Sequence, residues 1–389
     1  MLSQVAHDFR AIHPIKKTPQ ICNLKDVVSK YGGLKSIAPP HFQRPSCWSS
    51  SDKKKYFSSV LMNRVEGSFV FVDLILSIYK LESLKNENNR AYDLFINYRS
   101  QGYEYLILDA HNRLDWLDDL LNDKWTIPAG PYQFVDDNTV HEITINSKSN
   151  NFSTLPDFIK RIIENRQIVV SEYTQIDFKG LSEVFLNVNS GIPPNDQEKR
   201  NAFGTDWADY VRKLRDDNSE LMAKILGKDY IKRLKGDNWI VDTLCFVRNV
   251  SPINVTGVTD HTKNSLYKNS NFNLDEVKKF TDNFNKLDEY LSKMISEDIL
   301  PKSALTRPVS CMNLLWMMCN GIDTYAQAAE AMILHEKYYQ DKQQSMNDNG
   351  RNYQWACGSL RPENNEIRMR VISDIIDEVQ SRGYMNRLM

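Results

Sequence analysis

In the first half of the chain, strand-like apolar runs alternate with helical spacing. SFVFVDLILSIY at 68–79, EYLILD at 104–109 and QIVVSEY at 167–173 predict buried strands. HNRLDWLDDLL follows EYLILD after the single residue Ala110, and its leucines have helical spacing. Helices are also predicted from Asp52 to Arg64 and at about 179–188. This order predicts a mixed α/β domain that closes near residue 203.

Beyond residue 203 the apolar positions recur every three or four residues, which predicts helices. The predicted helical segments are 207–225, 277–294, 309–319 and 367–379, and the polar segment 337–353 is expected to be a loop. We therefore expect an α+β protein. It has an N-terminal extension at 1–34, a mixed α/β domain at 35–203 and an all-helical domain at 204–389.

Composition limits the class of protein without identifying its function. The chain has 389 residues, of which 41% are hydrophobic and 25% are charged, as in ordinary soluble proteins. No apolar stretch is long enough to span a membrane, and the N-terminus lacks a secretory pattern. The six cysteines form no C-x-x-C pair, which favours reduced thiols in a cytoplasm. A net charge of −1 neither favours nor excludes a nucleic-acid partner.

The junction between the strand 104–109 and the following helix is the first candidate for chemistry. A helix N-terminus offers unpaired N–H groups and a positive dipole end, which suit phosphate. Asp109 can orient a metal ion or water, His111 can act as an acid or base, and Arg113 can bind phosphate. A helix cap and a surface ion pair would use the same residue types.

Two further segments combine polar side chains with rigid or tight backbone. PHFQRPSCW at 40–48 places Arg44 between prolines and an aromatic residue, which suits an anion contact or an extended linker. FLNVNSGIPPN at 185–195 is either a polar wall over a nucleotide or a helix C-cap at Gly191.

In this order and spacing, the segments resemble the N-terminal domain of GmrSD-type restriction enzymes, which belongs to the ParB/sulfiredoxin-like superfamily. That family shows P-x-[FY]-Q-R-x-x-x-W, then D-G-Q-[QH]-R after a strand, then F-x-x-[IV]-N-x-[GS]-G with L-[NS]-x-x-E-x-R. This chain reads PHFQRPSCW, LILDAHNRLDWL and VFLNVNSGIPPNDQEKRNA, and the match covers roughly 35–203. Ala110 replaces the glycine of the second motif. Because alanine disfavours positive φ, the junction is expected to have a different shape.

The resemblance implies a ParB/sulfiredoxin-like fold that binds a nucleoside triphosphate and Mg²⁺. The implied catalytic residues are Asp109, His111 and Arg113, with Asp109 also as the metal ligand. The implied nucleotide or phosphate contacts are Gln43, Arg44, Asn112, Asn187, Asn189, Ser190 and Arg200. The implied function is NTP-dependent nicking or cleavage of DNA, in defence or in a phage, in a bacterial or infected-host cytoplasm.

Two alternative functions stay open. The same pocket can transfer phosphate to a hydroxyl on a modified base in DNA, with Asp109 activating the acceptor. Alternatively, the protein is a catalytically inactive DNA- or protein-binding regulator, a hypothesis that Ala110 favours.

The helical half shows no second catalytic signature. His261 and His335 are isolated, as surface or packing histidines are, and the stretch 351–370 can pack or contact nucleic acid. The expected partners are DNA and, through the helical domain, a second copy or another protein. No membrane partner is expected.

Overall fold

The computed structural model describes residues 14–31, 35–65, 67–82, 90–148, 150–188, 194–250, 256–269, 272–341 and 352–388. The chain divides into two compact units, Met1–Ala202 (unit 1) and Phe203–Met389 (unit 2). Unit 1 combines strands with helices, and the elements described for unit 2 are all helices. The expectation of a mixed α+β protein is confirmed, whereas the ParB/sulfiredoxin-like arrangement stays a prediction.

Unit 1 is built around one mixed sheet. Its elements are β1 (Ile15–Lys16), β2 (Gln20–Asn23), α1 (Leu24–Lys30), β3 (Ile37–Ala38), α2 (Ser50–Leu61), β4 (Ser68–Asp73), α3 (Leu74–Glu82), α4 (Arg90–Ser100), β5 (Tyr105–Asp109), α5 (His111–Leu121), β6 (Gly130–Asp136), β7 (Thr139–Ile145), α6 (Asp157–Glu164), β8 (Gln167–Gln175), α7 (Phe178–Val188) and α8 (Asp196–Ala202). The sheet order is β1-β8-β4-β5-β3, and β2 also pairs with β8. The β4–β8 and β3–β5 pairs are parallel, and the other pairs are antiparallel.

Both faces of this sheet are buried, because successive residues of its central strands are apolar. Phe69, Phe71 and Ile107 lie in one core, and Val70, Val72, Leu106 and Leu108 lie in the other. Helices α1, α2, α5 and α6 contribute to the first core, and α3, α4 and α7 contribute to the second. The carboxyl end of β5 is thereby held between two packed layers.

The apolar run at 68–79 is a strand only in its first half. β4 ends at Asp73, and α3 begins at Leu74. The Asp73 Oδ1 atom accepts a hydrogen bond from the backbone N–H of Leu76 at 2.9 Å, as a helix-capping carboxylate does. The prediction of one continuous β-rich run was wrong, because buried apolar runs have no periodicity that separates strand from helix.

Unit 2 packs its helices around one hydrophobic core. They are α9 (Asp206–Asp217), α10 (Ser219–Leu226), α11 (Lys235–Asn249), α12 (Asp260–Asn269), α13 (Leu274–Ser296), α14 (Lys302–Leu305), α15 (Pro308–Cys319), α16 (Tyr325–Gln340), α17 (Tyr353–Ala356) and α18 (Pro362–Leu388). The segment 207–225, predicted as one element, forms two helices that meet at Asn218. The loop expected at 337–353 is partly wrong, since α16 continues to Gln340; residues 342–351 lie outside the described ranges.

No helix in the described ranges is both long and apolar enough to cross a membrane. The six cysteines are free thiols, without a disulfide between them.

Candidate functional site

The junction between β5 and α5 has a left-handed backbone. Ala110 has φ 78° and ψ 17°, and its side chain is buried in the core. This conformation costs a residue with a Cβ about 1–2 kcal/mol, whereas glycine adopts it freely. The expectation of a different shape is therefore wrong in this respect, because Ala110 has the positive φ that the motif's glycine permits.

Asp109 and Arg113 form an ion pair across the junction. The Arg113 Nη2 atom lies 3.0 Å from Asp109 Oδ2 and donates another hydrogen bond to the Ser68 carbonyl oxygen at 3.0 Å. Asp109 Oδ1 accepts a hydrogen bond from the backbone N–H of Ala110 at 2.7 Å. Burial raises the pKa of Asp109, although the charge of Arg113 and these hydrogen bonds oppose the shift. A Cβ at Gly67 would lie 2.8 Å from Arg113 Nη1, so this glycine leaves room for the guanidinium group.

His111 and Asn112 occupy the first turn of α5 with different surroundings. The His111 Nε2 atom lies 3.5 Å from Asp115 Oδ2. Burial lowers the pKa of His111 below its ordinary value, so the ring is neutral at pH 7. Asn112 Oδ1 accepts hydrogen bonds from Ser46 Oγ at 3.1 Å and from the backbone N–H of Cys47 at 2.9 Å. The Asn112 side chain thus fastens the segment 40–48 to α5.

A second ion pair joins the segment 40–48 to α8. Arg44 Nε lies 3.4 Å from Glu198 Oε1, and Glu198 is only 3% exposed. Glu198 also forms a reciprocal cap with Asn195 at the start of α8, with N–H to oxygen distances of 2.8 and 2.9 Å. Arg200 is fully buried and donates from Nε to Gln197 Oε1 at 2.9 Å.

The structure therefore brings together parts of all three sequence segments that were predicted to form the site. Gln43 belongs to the same segment as Arg44, and its buried Oε1 has no hydrogen-bond partner among the residues described. Asn187 is exposed on α7, and no hydrogen bond or ion pair in the described ranges joins it to Asp109, Arg44 or Arg200. Asn189 and Ser190 lie outside the described residues.

Four residues that the sequence analysis left out of the site contribute to it: Ser46, Cys47, Tyr56 and Glu198. Glu198 matches the glutamate of the L-[NS]-x-x-E-x-R motif, so the resemblance contained the signal for it. Tyr56 lies within the helix predicted from Asp52 to Arg64, to which the sequence patterns gave no role in the site. Its ring lies 5.1 Å from that of Trp48 and 4.8 Å from that of Trp116. Burial raises the pKa of Tyr56 to about 12, while the charge of Arg113 opposes the shift.

The side chains around Asp109 do not form a metal-binding cage. The described part of the chain contains no group of three or more His, Cys, Asp or Glu residues that could hold a metal ion. Both oxygens of Asp109 already accept hydrogen bonds, from Ala110 and Arg113. A Mg²⁺ ion held by one carboxylate takes its other ligands from water and substrate phosphates. Among the described residues, Asp109 therefore has no cage of further His, Cys, Asp or Glu ligands around it, and the metal site stays a prediction.

The N-terminus of α5 has the chemistry of an anion site. Ala110 provides no side-chain cap, and the first helical hydrogen bond runs from the Leu114 N–H to the Ala110 carbonyl. The backbone N–H groups of His111 and Asn112 have no acceptor among the residues described. These donors, the helix dipole and the two arginines favour a phosphate group.

Comparison with known proteins finds no matching family, no matching curated protein and no matching solved structure. The resemblance to GmrSD-type N-terminal domains accordingly stays a prediction that depends on the three sequence segments.

Proposed function

We propose that unit 1 binds a nucleoside triphosphate at the β5–α5 junction and uses its hydrolysis to nick or cleave DNA. The observation that supports this proposal best is the meeting of the three motif segments in space. Asn112 bonds the segment 40–48 to α5, and the Arg44–Glu198 pair joins that segment to α8. Segments that served only as separate helix caps and linkers would not need these connections.

In this proposal, the triphosphate binds through the N-terminus of α5. The N–H groups of His111 and Asn112 donate to phosphate oxygens, and Arg113 supplies a charged planar donor. Arg44 reaches a second phosphate group from the neighbouring segment. Because each arginine has a carboxylate partner in the free protein, binding requires an exchange of partners.

His111 is the proposed acid/base. Its neutral ring accepts the proton of the water that attacks the terminal phosphorus, a P–O bond forms, and the bond to the bridging oxygen breaks. Asp109 orients the water, and its raised pKa makes it a better hydrogen-bond acceptor than an exposed aspartate. Mg²⁺ would be held mainly by the phosphates, and the proposed roles of the side chains do not depend on a protein cage for it.

The test measures phosphate release from ATP, GTP and CTP, with Mg²⁺ or Mn²⁺ and plasmid DNA. Asp109→Asn keeps the shape of the side chain, and Asp157→Asn, at an exposed aspartate of the same unit, is the matched control. We expect Asp109→Asn to abolish turnover and DNA cleavage, and Asp157→Asn to retain both.

The fate of the DNA separates the proposed reaction from its alternatives. Nicked or linear plasmid supports the nuclease, and intact plasmid that carries new phosphate indicates phosphotransfer. No turnover with any nucleotide, together with intact DNA, would refute the proposal and leave a binding protein. Binding of a second copy or another protein through unit 2 stays a prediction.

A further inference from the structure

A cluster of polar side chains lies in the interior of unit 2, separate in sequence from the site proposed in unit 1. It comprises Asn313 on α15, His335 on α16, Tyr353 on α17, Cys357 directly after α17, and Arg368 on α18. Asn313, His335, Tyr353 and Arg368 are at most 1% exposed, and Cys357 is half-buried. The sequence patterns gave His335 only a packing or surface role, yet it is one of the most deeply buried polar groups of the chain.

The hydrogen bonds of this cluster determine which side-chain atoms donate and which accept. Arg368 Nη2 donates to Asn313 Oδ1 at 2.6 Å, which identifies Asn313 Nδ2 as the donor of that amide. Nδ2 lies 3.1 Å from His335 Nε2 and donates to the Tyr353 hydroxyl oxygen at 2.9 Å. His335 Nε2 therefore accepts a hydrogen bond, and the proton of the neutral ring is on Nδ1.

Two donors of the cluster are left without acceptors. His335 Nδ1 and Arg368 Nε are both buried, and neither has a hydrogen-bond partner among the residues described. Buried N–H groups are almost always paired in folded proteins, and an unpaired one costs stability.

The charge of Arg368 also lacks a carboxylate partner in the described ranges. Its other contacts are with neutral groups: Asn365 Oδ1 at 3.5 Å, Met312 Sδ at 3.6 Å and the Phe246 ring centroid at 4.4 Å. By contrast, Arg215 in the same unit makes two hydrogen bonds to the fully buried Asp237, at 3.0 and 2.8 Å. A buried cation without a counterion is strongly unfavourable.

The neighbouring groups do not supply the missing negative charge. Glu336 is engaged by Arg307, with nitrogen–oxygen distances of 2.7 and 3.3 Å. The Cys357 sulfur lies 3.8 Å from Asn313 Nδ2, but burial raises the pKa of this thiol, so it stays neutral at pH 7. The phenol of Tyr353 also stays neutral, since burial raises its pKa well above the ordinary value.

We propose that Arg368 and His335 form a binding site for a small oxyanion, such as phosphate or the phosphoryl group of a larger ligand. Arg368 Nε–H and His335 Nδ1–H donate to two oxygens of the anion, whose charge neutralises the guanidinium group. Cys357, whose sulfur lies 3.8 Å from Asn313 Nδ2, is the half-buried member of the cluster. This site is independent of the nucleotide site proposed in unit 1.

The experiment titrates the full chain with inorganic phosphate, using calorimetry and thermal unfolding, with sodium chloride at equal ionic strength as the reference. We expect saturable binding and a rise in Tm of roughly 5–10 °C at a hundredfold excess over Kd. Arg368→Met should abolish both, whereas Arg382→Met, at an exposed arginine of the same helix, should retain them. This comparison also separates the cluster from phosphate binding in unit 1.

A second variant guards against failure of Arg368→Met to fold. His335→Phe keeps a ring of similar shape but removes the Nδ1–H donor, and it should weaken phosphate binding about tenfold. Absence of phosphate binding to the wild type, or unchanged affinity in both variants, would overturn the proposal. A nucleoside monophosphate that competes with phosphate would support a site open to larger ligands, whereas binding of phosphate alone would support a closed site.

Discussion

Acidification from pH 7 to pH 5 is expected to destabilise unit 2 through His335. Burial lowers the pKa of this imidazole to about 3, and the charges of Arg307 and Arg368 act in the same direction, against the opposing effect of Glu336. Its Nε2 atom accepts the hydrogen bond of the Asn313 amide, so protonation at this atom would also break that bond. The folded state therefore requires the neutral ring.

The sign and size of the effect follow from linkage. Because the folded-state pKa is below the ordinary value of 6.5, the unfolded chain takes up the proton first as the pH falls. The contribution of the neutral ring to the free energy of unfolding is complete above pH 6.5, and it is lost progressively as the pH falls towards 3. At pH 5 the loss is about 2 kcal/mol, at about 1.4 kcal/mol per pH unit. For a unit of this size, Tm should fall by about 4–8 °C.

The assay compares thermal unfolding of the full chain at pH 7 and pH 5 in the wild type and in His335→Gln. Glutamine can still accept a hydrogen bond from Asn313 but does not titrate. The Tm of His335→Gln should therefore fall less between pH 7 and pH 5 than that of the wild type, and the difference is the part that protonation of His335 causes. His261→Gln, at an exposed histidine of α12, should behave as the wild type does. An identical fall in Tm for the wild type and His335→Gln would refute the reasoning.

Three further predictions concern the site in unit 1. Ala110→Gly should change the free energy of unfolding by less than about 1 kcal/mol, because relief of the left-handed backbone and added chain entropy oppose each other. Ala110→Val should lower the free energy of unfolding by about 2 kcal/mol or more. If urea unfolding showed equal effects for Ala110→Gly and Ala110→Val, the left-handed backbone at this position would be contradicted. Arg44→Met and Glu198→Gln should be non-additive by about 1 kcal/mol in a double-mutant cycle, whereas additivity would mean that the two side chains do not interact. Asn112→Leu should destabilise unit 1 by about 1–3 kcal/mol and speed proteolysis within the segment 40–48, and an unchanged digestion rate would argue against its role in holding that segment.

The strand–helix junction could be predicted from the sequence because its signal is local. Four apolar residues bounded by polar ones predicted a buried strand, and β5 is Tyr105–Asp109. The leucine spacing that follows predicted a helix, and α5 is His111–Leu121. The helix predicted at 277–294 likewise lies within α13. In each case the spacing of the apolar residues indicates which of them face the core, and a short stretch of sequence is enough to show that spacing.

The hairpin of β6 and β7 has a local signal in its sequence. Tyr132 and Phe134 are buried while their neighbours in β6 are more exposed, which is the period-two pattern of a strand. Asp137 and Asn138, the two residues between the strands, have φ of 42° and 61°. Positive φ at both central residues is the geometry of a type I′ hairpin turn, in which Asp and Asn are favoured.

The partners of the polar site residues could not be predicted, because they come from distant segments. Asn112 was predicted to contact phosphate, but its side-chain oxygen accepts hydrogen bonds from the segment 40–48. Arg200 is fully buried and donates from Nε to Gln197 Oε1, and its contact with phosphate stays a prediction. A motif therefore identifies which residue types meet, but only the fold decides which of them face each other and which face a ligand.

The two proposed anion sites differ in what an anion must displace. At the β5–α5 junction, Arg44 and Arg113 already pair with Glu198 and Asp109, so a phosphate group gains their charge only by displacing a carboxylate. Arg368 has no carboxylate partner among the described residues, and an anion there replaces an unfavourable buried charge with a neutral pair. The cluster in unit 2 should therefore bind simple anions more readily than the junction does. The junction suits a ligand whose several phosphate groups together compensate for the exchanged pairs, as those of a nucleoside triphosphate do.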